Sequence, residues 1–386
     1  MSVSSKEYDG IHKYLRITDI DEKSRKFNKD KLTSPDIKFN SSSKKYLLSN
    51  NDIVFARTGA STGKTYMYQK EDGIVYYAGF LIKASLSSNF DNNFIFQQTY
   101  RKRYYQRVKV ISQRSGQPGI NSKEYGNFDF LITQIEEQNK IGKLFKIFDN
   151  LLALYERKFK LLSRVKKYFL DNLFAEKEYP NLRFKGFTNT WEKIKLKDTQ
   201  TTLTDGNYAN LYPKPTDMTD ADKGIPFLTG GNLKDGILDL KNAKYITKEK
   251  HSQLRSGHLE EDDIVIAVRG SLGELGYVTK QNIDWNINSQ LAIIRTSKNE
   301  LIGNFLLYFF LSSKGKSKLL SRQTGTALKQ LPLQQLKTIV IPKTLLLEQQ
   351  KISNILKTID KTISFYKDKQ QHLAEIKNTL LNTMFI

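Results

Sequence analysis

The stretch Gly59-Ala60-Ser61-Thr62-Gly63-Lys64-Thr65 joins two glycines to a lysine and a threonine, the residue types that wrap phosphates in a nucleotide-binding loop. That loop needs four residues between its first glycine and the Gly-Lys pair, so that successive backbone N–H groups encircle the phosphates while the lysine reaches the outer ones. Here only Ala60, Ser61 and Thr62 intervene. The following "YMYQKEDGIVYY" reads as strand, turn and strand, whereas the anion site needs a helix N-terminus. Spacing and context both argue against nucleotide chemistry. Other catalytic chemistry is no better served. His12, His251, His258 and His372 show no metal-ligand spacing and read as surface histidines, so no metal site is expected. With no cysteine there are no disulfides, thiolate zinc sites or cysteine nucleophiles. The acidic run Glu260-Glu261-Asp262-Asp263 reads as a solvated strand entry, a nuclease metal site being the weaker alternative. The chain shows no Asn/Asp-Pro-Pro-aromatic motif of an adenine methyltransferase and no glycine-rich cofactor fingerprint, and no catalytic residue is assigned.

Binding chemistry is better represented. "TYRKRYYQRVKVISQRSGQPG" interleaves Arg101, Lys102, Arg103, Arg107, Lys109 and Arg114 with Tyr100, Tyr104 and Tyr105. Such cations suit phosphates because they displace condensed counterions, a solvated basic helix face being the plainer alternative. Across the chain 62 Lys+Arg against 40 Asp+Glu give a net charge of +22, which favours a polyanionic partner: DNA, RNA or a membrane surface. The apolar runs are far shorter than a bilayer span and "MSVSSKEYDG" has no signal-peptide core, which argues against membrane insertion and secretion. A cytoplasmic, nucleic-acid-facing protein is the expectation.

The elements that position these residues come in two copies. At 386 residues, two domains are the starting expectation. "LSNNDIVFARTGASTGKTYMY" returns as "LEEDDIVIAVRGSLGELGYVT", with Asp52 matching Asp263 at an offset of 211. At the same offset "EEQNKIGKLFKIFDNLLALYERKFKLLSRVKKYFLDNLF" returns as "LEQQKISNILKTIDKTISFYKDKQQHLAEIKNTLLNTMF". In the second copy of the glycine stretch, Arg269-Gly270-Ser271-Leu272-Gly273-Glu274, the glycines persist and glutamate takes the lysine position. Both copies lie between strands, so the glycines are expected to make a tight turn with positive φ or a close backbone approach, from which Arg57, Lys64 and Arg269 can reach outward, a surface turn with solvated basic residues being the plainer alternative. The second repeated segment is helical. Ile141, Phe148, Tyr155 and Leu162 fall at successive a positions of a heptad, as do Ile352, Ile359, Tyr366 and Leu373. About 34 residues at 1.5 Å each span roughly 50 Å, long for a packing helix. Two such stripes in one chain most simply pair with each other, the alternative being that each covers its own sheet.

In this order, repeated at one offset, the motifs resemble the specificity subunit of a Type I restriction-modification system. The resemblance rests on "PNLRFKGFTNTWEKIKL", on "GIPFLTGGNLKDG" with its echo "IHKYLRITDIDE", on the two glycine stretches and on "RQTGTALKQLPLQQLKTIVIPKTLLLEQQKI". It implies an α+β fold: two β-rich target recognition domains, 1–136 and 180–347, alternate with two long conserved helices, 137–179 and 348–386. The helices pair as an antiparallel coiled coil, giving a pseudo-twofold internal repeat. It also implies that each domain reads one half of a split target in double-stranded DNA. Two modification (methyltransferase) subunits dock on the helices, which set the spacer, and restriction subunits join in the full complex. By the same resemblance this chain is expected to bind no cofactor, with S-adenosylmethionine and ATP with Mg serving the partner subunits. Arg to guanine and Asn or Gln to adenine are the favoured base pairings, so the matched loops "SQRSGQPGIN" and "SRQTGTALKQ" supply candidates: Arg114, Gln117 and Asn121, then Arg322, Gln323, Thr326 and Lys329. Arg57, Lys64, Arg101, Lys102, Asn232, Lys234 and Arg269 complete the DNA-binding set. The second unit carries residues 180–224 ahead of Ile225, whereas only ten residues precede the matching Ile11. A late start, a shortened chain and supply of the piece by another polypeptide all stay open. So do two other classes: a free-standing DNA- or RNA-binding protein, and a nuclease or ATPase.

Overall fold

A computed structural model describes residues 3–22, 24–113, 116–174, 178–326 and 328–385. The fold is α+β and divides into two units, Met1–Arg157 with Lys367–Ile386, and Lys158–Tyr366. Both divisions fall inside the long helices.

The first unit contains β1 (Lys13–Leu15), β2 (Asp52–Ala56), β3 (Thr65–Met67), β4 (Val75–Tyr77) and β5 (Leu81–Ser85). These precede α1 (Asn92–Gln98), α2 (Lys102–Ile111), α3 (Ser122–Gly126) and the start of α4 (Ile135–Leu173). The antiparallel sheet runs β3-β2-β5, with Val54 opposite both Tyr66 and Lys83. After Asp52, whose carboxylate accepts from Ser49 N at 2.8 Å, "IVFA" is apolar because β2 is covered on both faces. Val54 and Ala56 pack with Leu15, Tyr66 and Val75, while Ile53 packs with Phe94, Phe96, Ile141 and Phe145. β1 and β4 pair in parallel.

In the second unit β6 (Glu192–Lys195), β7 (Thr202–Asp205) and β8 (Ile225–Leu228) come first, then α5 (Lys248–Gln253), β9 (Ile264–Ala267) and β10 (Leu275–Tyr277). β11 (Asn286–Ile287), β12 (Leu291–Arg295), α6 (Gly303–Leu311), α7 (Ser313–Leu320), β13 (Val340–Lys343) and α8 (Leu346–Thr383) follow. The sheet β10-β9-β12-β7 repeats that of the first unit with one strand added, and β8 pairs in parallel with β11 as β1 does with β4. The additions, β6 and β7, come from the extra segment before Ile225. β7 extends the sheet past β12, and β6 pairs with β13. In the first unit the stretch equivalent to β13, residues 129–132, is not a strand, and Leu131 and Ile132 remain 60% and 55% exposed. The extra segment also brings Arg183 and Trp191 onto the buried Glu348 carboxylate, at 2.7 Å from Arg183 Nε and 3.2 Å from Trp191 Nε1.

Within each unit the helices pack antiparallel, and the contacts are exchanged copies of one another. In the first unit Lys377 Nζ pairs with Asp149 Oδ1 at 2.6 Å; in the second, Lys166 Nζ pairs with Asp360 Oδ1 at 2.6 Å. Asp149 and Asp360 are repeat equivalents, and so are Lys166 and Lys377. The phenylalanines closing the helices behave likewise: Phe385 meets Phe94 at 4.9 Å between ring centroids and Phe174 meets Phe305 at 5.3 Å. Of the heptad residues, Ile141, Ile352 and Ile359 are buried, while Phe148, Tyr155, Leu162, Tyr366 and Leu373 are half-buried. Among the described residues no helix is long and apolar enough to cross a membrane.

The acidic run departs from its sequence reading as a solvated entry. Asp263 is buried, with its carboxylate oxygens 2.8 and 2.7 Å from Arg295 Nε and Nη2, and Asp262 accepts from the Gly303 and Asn304 N–H groups that open α6. The run leads into the central strand of a covered sheet, so its last two carboxylates turn inward to satisfy buried donors. Burial raises the Asp263 carboxyl above its ordinary pKa, opposed by the Arg295 guanidinium.

Phe385→Ala is expected to lower stability by about 3–5 kcal/mol in chemical denaturation, as truncation of a buried aromatic does. Leu161→Ala, at an exposed site on α4, is expected to stay within about 0.5 kcal/mol.

Candidate nucleic-acid interface

The glycine stretches are tight turns closing β2 onto β3 and β9 onto β10. Gly59, Gly63, Gly270 and Gly273 all have positive φ, at 70, 87, 74 and 77°. At Gly63 a Cβ would lie 2.5 Å from Val108 Cγ1, so only glycine fits. Each turn is stitched to the matched downstream loop by the same backbone bond. Ile120 N donates to Arg57 O at 2.8 Å, and Leu331 N donates to Val268 O at 2.9 Å, both partners displaced by 211 residues. In the first unit Gly59 N also donates to Pro118 O at 2.9 Å. The structure thus brings Arg57 and Gln117 onto one edge, and Arg269 beside Gln330 in the other unit.

Side-chain environments sort the candidates further. Arg57, Gln117, Lys234, Thr326 and Lys329 are exposed, as is Lys102 at the start of α2. Lys64 is largely covered and lies 3.7 Å from Glu22. Asn121 caps α3, accepting from Glu124 N at 2.9 Å. Arg322 and Gln323 are half-buried, and among the described residues Arg322 Nε finds no acceptor. Arg114 lies outside the described residues. Arg269 donates to Ser289 O at 3.2 Å and to Tyr208 OH at 3.3 Å. Burial and the Asp205 carboxylate raise the Tyr208 phenol above its ordinary pKa.

Two candidates are engaged by neighbours within the fold. Asn232 is only 2% exposed: its Oδ1 accepts from Thr229 N and its Nδ2 donates to Asp239 O, both at 2.9 Å. "GGNLKDG" is a turn, and an asparagine there folds back on its own backbone. Arg101 donates to Gln98 Oε1 at 3.0 Å and stacks over the Phe385 ring at 5.6 Å, and burial lowers its pKa. The interleaved tyrosines divide as well. Tyr104 is buried, donating to Gly63 O at 2.8 Å, and Tyr100 lies under Arg25 at 4.3 Å, so Tyr105 alone of the three is exposed. Arg103 and Arg107 share Asp129, at 3.0 and 3.3 Å.

Sequence reasoning missed two residues on these edges. Tyr208 belongs to the extra segment and had no repeat partner to point to it. Leu328, 88% exposed, sits between Thr326 and Lys329 in a loop closed by the reciprocal Thr324–Gln330 backbone bonds at 2.9 and 3.0 Å. An apolar residue amid polar loop residues was the available signal.

A family profile described as the Type I restriction modification DNA specificity domain matches residues 6–164 and 188–375. The MjaVIII Type I restriction enzyme specificity subunit of Methanocaldococcus jannaschii is 22% identical over 390 residues, covering 98% of this chain and 86% of the relative. A putative MjaX specificity subunit from the same organism is 23% identical, covering 88% and 79%. The Type I S subunit crystal structure from M. genitalium aligns with a TM-score of 0.65 at 17% identity, covering 99% of this chain and 93% of that one. A chain from a structural study of type I R-M complex assembly aligns at 0.51 and 14% identity, covering 100% and 95%.

Asn232→Ala is expected to destabilise the protein by about 1–3 kcal/mol in urea denaturation, because it strands buried polar groups. Lys234→Ala, exposed two residues on, is expected to change stability by under about 0.5 kcal/mol.

Proposed function

Because the chain belongs to the family of Type I restriction-modification DNA specificity subunits, we propose that it chooses the DNA sequence for a cytoplasmic methyltransferase and endonuclease complex without catalysing either reaction. Each unit reads one half of a bipartite target in double-stranded DNA through its stitched turn-and-loop edge. The paired helices dock two modification subunits and set the unread spacer, and restriction subunits join in the full complex. S-adenosylmethionine and ATP with Mg are used by those partners. The observation that carries this reading is the duplicated edge, built by one backbone bond in both units and carrying exposed basic and amide side chains. Support for two docking sites comes from the repeated Asp–Lys and Phe–Phe contacts: each unit builds an equivalent helix pair, so similar surfaces occur twice. A free-standing nucleic-acid-binding protein would share the charge but would not depend on a partner.

Roles divide along the edge. Gln323 contacts a base, the exposed Arg57 and Lys102 contact phosphates, and Arg269 is held in position by Tyr208. Gln323→Ala is expected to relax preference at one half-target, by about 1–3 kcal/mol if the contact is bidentate. Lys102→Ala is expected to weaken all DNA sequences alike and reduce the salt slope of binding by about 1. Binding titrations on specific and random duplexes at several salt concentrations separate the two; equal losses on both duplexes for Gln323→Ala count against base reading.

Purification with and without a cognate modification subunit tests the whole reading. The chain alone is expected to show no methylation, cleavage or ATP hydrolysis. Adding the subunit and S-adenosylmethionine is expected to give methylation at a split site by a complex with two modification subunits per chain, counted by native mass spectrometry. Methyl transfer by the pure chain, or a saturated one-to-one complex, contradicts it.

A further inference from the structure

We infer that His251, His258 and Asp284 form a binding site for one divalent transition-metal ion of the zinc class, in the second unit. The sequence reading took these histidines for ordinary surface residues. The fold brings them together from three places: His251 from α5, His258 from the loop after it, and Asp284 from the turn before β11. One ligand atom from each lies within 4.8 Å of the others. His251 Nε2 is 3.3 Å from Asp284 Oδ2, and His258 Nδ1 is 3.5 Å from Asp284 Oδ1. In a tetrahedral zinc site with bonds of about 2.0–2.1 Å, neighbouring ligand atoms are roughly 3.4 Å apart.

The other nitrogen of each ring decides what the converging atoms can be. His258 Nε2 lies 2.9 Å from the Leu254 carbonyl oxygen, which only accepts, so this nitrogen carries a proton and Nδ1 faces Asp284, available to a metal ion in the neutral ring. His251 Nδ1 bonds Asn286 Oδ1, and the orientation of that buried amide is set by its Nδ2, which donates to Gly257 O at 3.4 Å. Nδ1 of His251 therefore carries a proton, and Nε2 faces the same carboxylate, available to a metal ion in the neutral ring. The inner nitrogens of both rings converge on the Asp284 carboxylate, a set of atoms that a divalent cation can bridge when the rings are neutral. Anchoring the outer N–H of each ring to a fixed oxygen is the arrangement that orients metal-binding histidines.

The scaffold is pre-set. Leu259 N donates to Trp285 O at 2.9 Å and Asp284 N donates to Leu259 O at 2.8 Å, pairing the His258 strand with that of Asp284. Arg295 Nη2 donates to the His258 carbonyl at 2.9 Å. Asp284 adopts φ 67°, in the left-handed region where aspartate is one of the few tolerated side chains. Its carboxylate is 67% exposed, leaving an entry path and room for water as a further ligand. A bound ion would tie α5 to β11 and stabilise the folded state by mass action.

Equilibrium dialysis of the full-length untagged chain against buffered micromolar zinc, with metal content read by mass spectrometry, tests the site. Saturable uptake of about one ion per chain is expected, along with a rise in Tm. Cobalt(II) is expected to replace zinc and give the visible absorption of a four- or five-coordinate ion. His251→Gln and His258→Gln are expected to abolish both signals, and Asp284→Asn, which keeps the turn, to weaken zinc binding at least tenfold. His12→Gln and His372→Gln are expected to leave uptake unchanged. Circular dichroism checks that each variant is folded. Absent or non-saturable uptake by the natural chain, or full uptake by folded His251→Gln and His258→Gln, overturns the site. Either result leaves the DNA-reading proposal unaffected, because no DNA enters the measurement.

Discussion

The phenylalanine that closes each long helix fixes much of the rest of the structure. Phe385 is buried with Phe94 and Phe145 in the first unit, and Phe174 with Phe305 and Phe309 in the second. A helix of 39 residues with a narrow apolar stripe gains little from propensity alone and depends on packing for its order. Each helix end supplies the aromatic that its unit needs, so helix pairing and domain folding are coupled. The Asp149–Lys377 and Asp360–Lys166 pairs add register, because a polar pair in an apolar seam is satisfied at one alignment only. Burial lowers the Lys377 pKa, and the Asp149 carboxylate opposes the shift.

From these anchors the constraint reaches the turn-and-loop edges. Gln349 Nε2 donates to Thr344 O while its Oε1 accepts from Ile302 N. Gln138 repeats both bonds, with Thr133 O and Asp91 N. These glutamines hold the start of α6 and of α1 against the helix pair. The buried faces of α1 and α6 cover the sheets, and β2 and β9 end in the glycine turns to which the downstream loops are stitched. A side chain at the edge is thus positioned by a continuous run of packed elements.

Much of this architecture was legible in the sequence because duplication turns one weak signal into two. The offset of 211 placed the helices, the central strands and the glycine turns before any geometry was known. The roles of individual polar residues were not legible. Asn232 and Asp263 look like solvent-facing groups, and their partners, Asp239 and Arg295, could not be identified from spacing. The grouping of His251, His258 and Asp284 was hidden for the same reason: six residues separate His251 from His258, and Asp284 joins them only through the pairing of Leu259 with Trp285 and Asp284. Arg101 and Tyr104 read as part of a basic, aromatic DNA-facing surface because composition does not reveal which side of a helix meets the core.

The central claim is that one helix pair sets the distance between two independent readings of DNA. Inserting four residues into each long helix, between its heptad core positions, lengthens the pair by about 6 Å. At about 3.4 Å per base pair that corresponds to roughly two base pairs. The insertion rotates the helix by about 40°, against roughly 70° for the added DNA, a mismatch of about 30°. Sequencing the sites methylated by the reconstituted complex is the direct measurement. The account predicts unchanged half-targets separated by a spacer about two base pairs longer. An unchanged spacer with intact half-targets would contradict it.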